Sequence, residues 1–171
     1  MPILQTRLLD EQSGGQQPYA TILGCSDSRV PPELIFDAWL GELFVIRVAG
    51  NVVGPAIFGT LQYATRYLHT PLYVILGHEG CGAVDAALNY RLEGKHQAEQ
   101  IQVLLEEIVP SFESLDYEVE RDALLACAVE ANVKQTVHRL TVSEEGQTQL
   151  ALGAKLVGAV YDIRTGKVRF L

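Results

Sequence analysis

Tyr19-Ala20-Thr21-Ile22-Leu23-Gly24 runs directly into Cys25-Ser26-Asp27-Ser28-Arg29. The first six residues are apolar, short and β-prone, and they read as a buried strand. The polar residues that follow therefore stand at a strand's carboxyl end. Three further segments repeat the pattern: Leu43 to Val48 (LFVIRV), Leu72 to Leu76 (LYVIL) and Lys155 to Ile163 (KLVGAVYDI). Each is apolar throughout instead of alternating, as in strands covered on both faces.

Helical patterns separate these strands. Pro31 and Pro32 suit the opening of a short helix, because the first turn has no partner for the missing N–H. Ile57, Leu61, Ala64 and Leu68 carry helical spacing through Ala56 to Leu68, and Pro71 ends that segment. Gly82 to Leu92 and Ala98 to Ile108 read as helices, and Pro110 to Glu118 as a loop. Val119 to Leu140 reads as a long amphipathic helix with Leu124, Cys127, Ala131, Val133 and Val137 on its apolar face. Ser143 to Leu152 allows a further turn or two. Arg164 to Lys167 is a turn, and Val168 to Leu171 a short return strand.

Strands alternating with helices give the α/β class: a mostly parallel central sheet of four core strands plus a short C-terminal strand, flanked by helices. The chain divides into a short N-terminal segment over residues 1–18, disordered or truncated, and a single catalytic domain over residues 19–171. In such sheets ligands sit beyond the carboxyl ends of the strands.

Composition narrows the function. The 171 residues are 48% hydrophobic and 20% charged, an ordinary globular balance. A net charge of −8 disfavours nucleic acid and anionic membrane surfaces. No apolar run is long enough to cross a bilayer. Met1 to Gln17 lacks a basic region followed by an apolar one, so no signal peptide is visible. Cys25, Cys81 and Cys127 are too few for a disulfide framework, and the cytoplasm or another intracellular compartment is the expectation.

A second polar segment, Gly77-His78-Glu79-Gly80-Cys81-Gly82, follows the third strand. Thiolate and imidazole are ligands that zinc favours. His78 and Cys81 are close enough in sequence to converge on one ion, and Cys25 supplies a third ligand if its strand is a neighbour. Three protein ligands leave one tetrahedral position open, the mark of a catalytic zinc. Cys127 is expected to be a buried core thiol. Taken alone, either segment is weak: a lone histidine is commonly a packed residue, Asp27 suits a helix cap, and Arg29 suits a surface ion pair.

The two segments together, CSDSR and HxxCG, resemble the signature of the β-class carbonic anhydrases. The flanking CSDSRVPPELIFD, GELFVIRVAGN, YVILGHEGCGAV and KLVGAVYDIRTGKVRFL are similar too, so the likeness runs from about Gln17 to the C-terminus. The resemblance implies Cys25, His78 and Cys81 as ligands of one Zn2+ per chain, and Asp27 with Arg29 as a catalytic dyad. It implies CO2 and bicarbonate as substrates. It also implies a homodimer or a multiple of dimers, with the site at the dimer interface.

Zinc lowers the pKa of its bound water from about 15.7 towards about 7, making a hydroxide nucleophile for CO2. Two thiolates cancel more of the metal's charge than histidines would, which favours mildly alkaline pH. Asp27 has two positions open to it: oriented on the hydroxide, or ligating the metal in a resting state. Arg29 decides between them by pairing with the carboxylate. Ser26 and Ser28 read as capping groups, and Gly82 as a backbone donor or a packing glycine. Val48, Ala49, Gly50 and Val52 read as an apolar pocket lining or as ordinary core. Trp39 reads as interface or core. His69, His96 and His138 have no partner ligands at sequence spacing.

Two departures from the family stand out. Only eighteen residues precede Tyr19, where family members carry longer N-terminal helices. Ile22 stands where some members place a tryptophan of a bicarbonate inhibition site, so that site is not expected in its usual form. Hydrolysis of carbonyl sulfide or carbon disulfide is the nearest alternative activity. A non-catalytic zinc-binding subunit is a second. A cysteine phosphatase or thiol redox enzyme fits poorly, because the Cys25–Arg29 spacing is too short and no C-x-x-C occurs.

Overall fold

The computed structural model describes residues 14–171. Residues 1–13, most of the expected N-terminal segment, lie outside the described residues. Five strands form one sheet: β1 (Ala20–Gly24), β2 (Leu43–Arg47), β3 (Leu72–His78), β4 (Lys155–Asp162) and β5 (Lys167–Phe170). Their order is β2-β1-β3-β4-β5. The first four are parallel, and β5 returns antiparallel on β4. The anticipated mostly parallel sheet with a short return strand is therefore what the chain builds.

Among the described residues, six α-helices connect the strands: α1 (Pro32–Ile35), α2 (Pro55–Tyr63), α3 (Gly82–Glu93), α4 (Glu99–Ile108), α5 (Arg121–Val142) and α6 (Glu144–Ala151). Pro32 and Pro55 each occupy the first helical turn, where proline's missing N–H is not needed. α2 continues as a wider π turn over Ala64–Leu68 and stops at His69 in the left-handed region, two residues before Pro71. The stretch read as a loop from Pro110 is entered by a 3-10 turn, Val109–Phe112, that buries Phe112. Ser143 caps α6, its Oγ accepting from the Gly146 N–H at 3.1 Å.

The sheet separates two cores by its pleat. Leu23, Tyr73, Ile75 and Val160 face the larger one, packed against Leu61, Val84, Leu88, Ile108, Leu124 and Val133 from helices α2 to α5. Ile22, Val74, Leu76 and Ala159 face a smaller one, against Ile35, Phe36 and Val168. Burial on both faces explains why these strands read as unbroken apolar runs.

One side-chain expectation is corrected here. Cys127 is exposed, not a core thiol. The buried stripe of α5 runs through Leu124, Ala128, Asn132, Thr136 and Leu140, with Val129 and Val133 beside it. Two polar residues, Asn132 and Thr136, sit within that stripe, so apolarity alone placed its axis wrongly. Cys127 lies on the flank with His138, beside Ser111 and Ser114.

Strand β3 packs flush on α5 because Gly77 has no side chain. A Cβ at position 77 would lie 2.5 Å from Val133 Cγ2 and 3.4 Å from Val129 Cγ1. Gly77→Ala is expected to destabilise the protein by about 1–3 kcal/mol through overpacking, read as a lower Tm. An unchanged Tm would show that α5 can shift freely away from the strand.

Candidate metal centre

Strand order creates the site. The chain leaves β1 towards β2 on one side and leaves β3 towards β4 on the other. Such a switch opens a crevice at the carboxyl ends of β1 and β3. The register sets Gly24 level with Leu76 and Arg47. Cys25 follows β1 directly, His78 ends β3, and Cys81 is the residue preceding α3.

The Sγ atoms of Cys25 and Cys81 are 4.0 Å apart. Together with an imidazole nitrogen of His78 they lie within 4.8 Å of one another, the only such three-residue group among the described residues. All three side chains are buried. His78 Nδ1 donates to the Glu79 carbonyl at 3.0 Å, which directs Nε2 to act as the acceptor. Nε2 is buried and has no hydrogen-bond partner. A buried lone pair between two sulfurs is the donor set of a borderline-soft dication, and zinc fits it.

The charges of the cluster point the same way. The Cys81 thiol draws the Cys25 pKa far down, against the effect of burial, and His78 and the N–H groups of Asp27 and Gly50 assist. The Cys81 thiol is pushed up, first by that same contact with Cys25 and then by burial. One sulfur of the pair therefore ionises readily and the second resists. A dication removes that resistance, because a coordinating thiol is deprotonated. Burial works to lower the His78 pKa, but the neighbouring Cys25, the Glu79 carbonyl and Asp27 outweigh it and leave it raised. A metal would compete with that proton.

Asp27 and Arg29 stand at the mouth. Arg29 Nε donates to Asp27 Oδ1 at 2.9 Å and Nη2 to Oδ2 at 2.7 Å, a bidentate pair. The Arg29 backbone N–H also donates to Oδ1, at 3.0 Å. These bonds hold the Asp27 carboxyl well below the usual carboxylate range. Asp27 Oδ2 lies 3.9 Å from His78 Nε2, so the carboxylate borders the cluster while Arg29 grips it. Outside Arg29, whose side chain is 57% exposed, a groove of about 480 Å3 opens between Glu79, Asp122, Asp162 and Arg164.

The remaining sequence candidates scatter. Gly50 and Val52 are buried near the strand ends, and Asn132 donates to the Gly50 carbonyl at 2.8 Å. Ser26, Ser28, Gly82, Trp39, His69, His96 and His138 are exposed. Sequence reasoning missed Arg47, whose guanidinium donates to the carbonyls of Cys25 and Asp27. Its place at the end of the second apolar strand was the one available signal.

Comparison with known proteins agrees with this geometry. A family model described as carbonic anhydrase matches residues 20–168. Carbonic anhydrase 2 of Mycobacterium tuberculosis is 44% identical over 106 residues, 60% of this chain; the match spans 51%, about half, of that relative's length. A carbonic anhydrase of Mycolicibacterium smegmatis is 37% identical over 158 residues, covering 90% of this chain and 74% of that one. Among solved structures, the β-carbonic anhydrase CafA of Aspergillus fumigatus superposes with a TM-score of 0.88 at 29% identity, covering 98% of this chain and 82% of that one. The likeness thus begins in the first strand, reaches into the last and includes every loop that builds the site. The chain belongs to the β-class carbonic anhydrase family.

Proposed function

We propose that this chain catalyses the reversible hydration of CO2 to bicarbonate and a proton, using one zinc ion held by Cys25, His78 and Cys81. The observation that carries the reading is the buried cluster of two sulfurs and an unpartnered imidazole nitrogen within 4.8 Å. When bound, zinc would acidify a coordinated water, so that a nucleophile exists near neutral pH.

The residues around it have separable roles. Asp27, ionised and acceptor-only, orients the attacking oxygen through a hydrogen bond. Arg29 keeps the carboxylate in place through two parallel bonds and so holds it off the cluster. The groove beyond Arg29 borders the outer side of the dyad, the side facing solvent. Residues 19–171 act as the catalytic domain.

The working form is a homodimer or a multiple of dimers. Leu34, Trp39 and Leu40 are 82%, 55% and 56% exposed, next to the edge strand β2, and apolar surface of this kind marks contact sites. No helix among the described residues is long and apolar enough to cross a membrane. An intracellular setting, where both thiols stay reduced, suits the ligand set.

Stopped-flow CO2 hydration on protein of measured zinc content tests the reading. One zinc per chain is expected, with activity lost on chelation and regained when zinc is restored. Activity that survives in zinc-free protein would overturn it. So would zinc-loaded protein that ignores CO2 and turns over carbonyl sulfide or carbon disulfide.

A further inference from the structure

The segment from Cys25 to Arg29 has an unusual task for its composition. It must hold a sulfur and a carboxylate in register with His78, yet Ser26, Ser28 and Arg29 are exposed and only Cys25 and Val30 at its two ends are buried. Apolar packing therefore fixes its ends and not its middle. What fixes the middle is polar: the Arg29 bonds to the Asp27 carboxylate within the segment, and a second set from β2 that holds its backbone carbonyls.

Arg47 is the last residue of β2, paired with Gly24. The next residue, Val48, donates its N–H to the Gly24 carbonyl at 3.1 Å. The backbone carrying Arg47 is thus stitched to the residue just before Cys25. From that base the side chain passes the end of β1. Its Nε donates to the Cys25 carbonyl at 3.0 Å and its Nη2 to the Asp27 carbonyl at 2.5 Å. The Asp27 carbonyl also accepts the Val30 N–H at 3.1 Å, closing the turn.

Two donors on one edge of a rigid planar group hold two carbonyls at a set separation and tilt. Those carbonyls belong to the peptide units that follow Cys25 and Asp27, so their orientation fixes the backbone on either side of the dyad carboxylate. Among the described residues, no carboxylate lies within ion-pair distance of Arg47, in contrast to Arg29, Arg121, Arg139 and Arg169. Its guanidinium is committed to the loop backbone.

We propose that Arg47 is a positioning residue for the metal centre: its fork clamps the Cys25 and Asp27 carbonyls and thereby aims the Cys25 sulfur and the Asp27 carboxylate at one point beside His78 Nε2. The proposal rests on the zinc reading above. A lysine cannot replace the clamp, because a single ammonium lacks the fixed two-donor edge.

The test uses Arg47→Ala, Arg47→Lys and, as a control for loss of a surface guanidinium, Arg169→Ala. Arg169 is 60% exposed, pairs with Glu130 and lies on β5, two strands from β3. Zinc affinity is measured by competition with a chromophoric chelator. The thiolate-to-metal and d–d absorption of the Co2+-loaded proteins reports ligand geometry, and Tm reports stability. Arg47→Ala is expected to weaken zinc binding by about 10-fold or more, the range typical of losing an outer partner of a ligand, and to shift and broaden the cobalt bands. Arg47→Lys should recover part of the affinity but not the band shape, and Arg169→Ala should match the wild type in both. Wild-type zinc affinity with superimposable cobalt spectra in Arg47→Ala overturns the proposal. If the alanine variant does not fold, the same result in Arg47→Lys overturns it. Should the wild-type chain itself bind no zinc, the metal reading fails first, which the wild-type titration distinguishes.

Discussion

Replacing His78 with alanine is expected to abolish CO2 hydration, a loss of at least about a thousandfold, because the buried cluster then offers two sulfurs and no nitrogen. The size follows from the nucleophile. Free water ionises with a pKa of about 15.7 and metal-bound water with one near about 7, so losing the metal removes nearly all hydroxide at neutral pH. The same change removes the one nitrogen donor of the cluster, a buried Nε2 left unpartnered by the protein. Zinc per chain, measured on the purified variant, should fall with the activity. Cys81→Ser should behave alike, since a hydroxyl in that buried place is a poor zinc ligand. A His78→Ala protein that keeps both its zinc and its turnover would remove this residue from the site.

Asp27→Asn is expected to lower kcat/KM for CO2 by about 100-fold while leaving zinc content unchanged, because it disturbs orientation and not the ligand set. The amide replaces one acceptor oxygen with a donor. It can no longer accept from both Arg29 Nε and Nη2, and the 2.9 Å and 2.7 Å bonds cannot both survive. A normal zinc content separates this outcome from metal loss. Full activity in Asp27→Asn would leave the carboxylate without a catalytic role.

The pH dependence of this pair has a definite sign. Arg29 depresses the folded-state pKa of Asp27 below its ordinary 3.8. The pair's stabilising effect is therefore fully present above that ordinary value and is lost as pH falls through the depressed one. Between about pH 5 and about pH 8 the difference in Tm between wild type and Asp27→Asn should stay constant. A difference that changes across that window would mean that Asp27 titrates there, against the geometry of its bonds.

Much of this molecule is local information. Four apolar runs made strands and Pro32 and Pro71 bounded helices, because strand and helix patterns depend on neighbours a few residues away. Cys25, Asp27, Arg29, His78 and Cys81 were readable as candidates because each stands at or just past the carboxyl end of a strand, where short connections carry chemistry. Cys127 was misread for a related reason. Burial along α5 follows the sheet it packs against, and Asn132 and Thr136 took places in the stripe that composition assigned to apolar residues.

The chain alone determined the strand and helix alphabet, the residue types of the two polar segments and, through their likeness to a known signature, the family. Tertiary structure decided the rest. Only the order β2-β1-β3 makes the first and third strands neighbours, and only that brings two sulfurs and a nitrogen within 4.8 Å across more than fifty residues of chain. The same pairing lays Arg47 over the Cys25–Asp27 backbone, a contact with no counterpart in any short-range pattern. The physical reason is that strand order and register are set by which apolar faces can be buried together over the whole sheet, a sum of distant contacts that no local window contains.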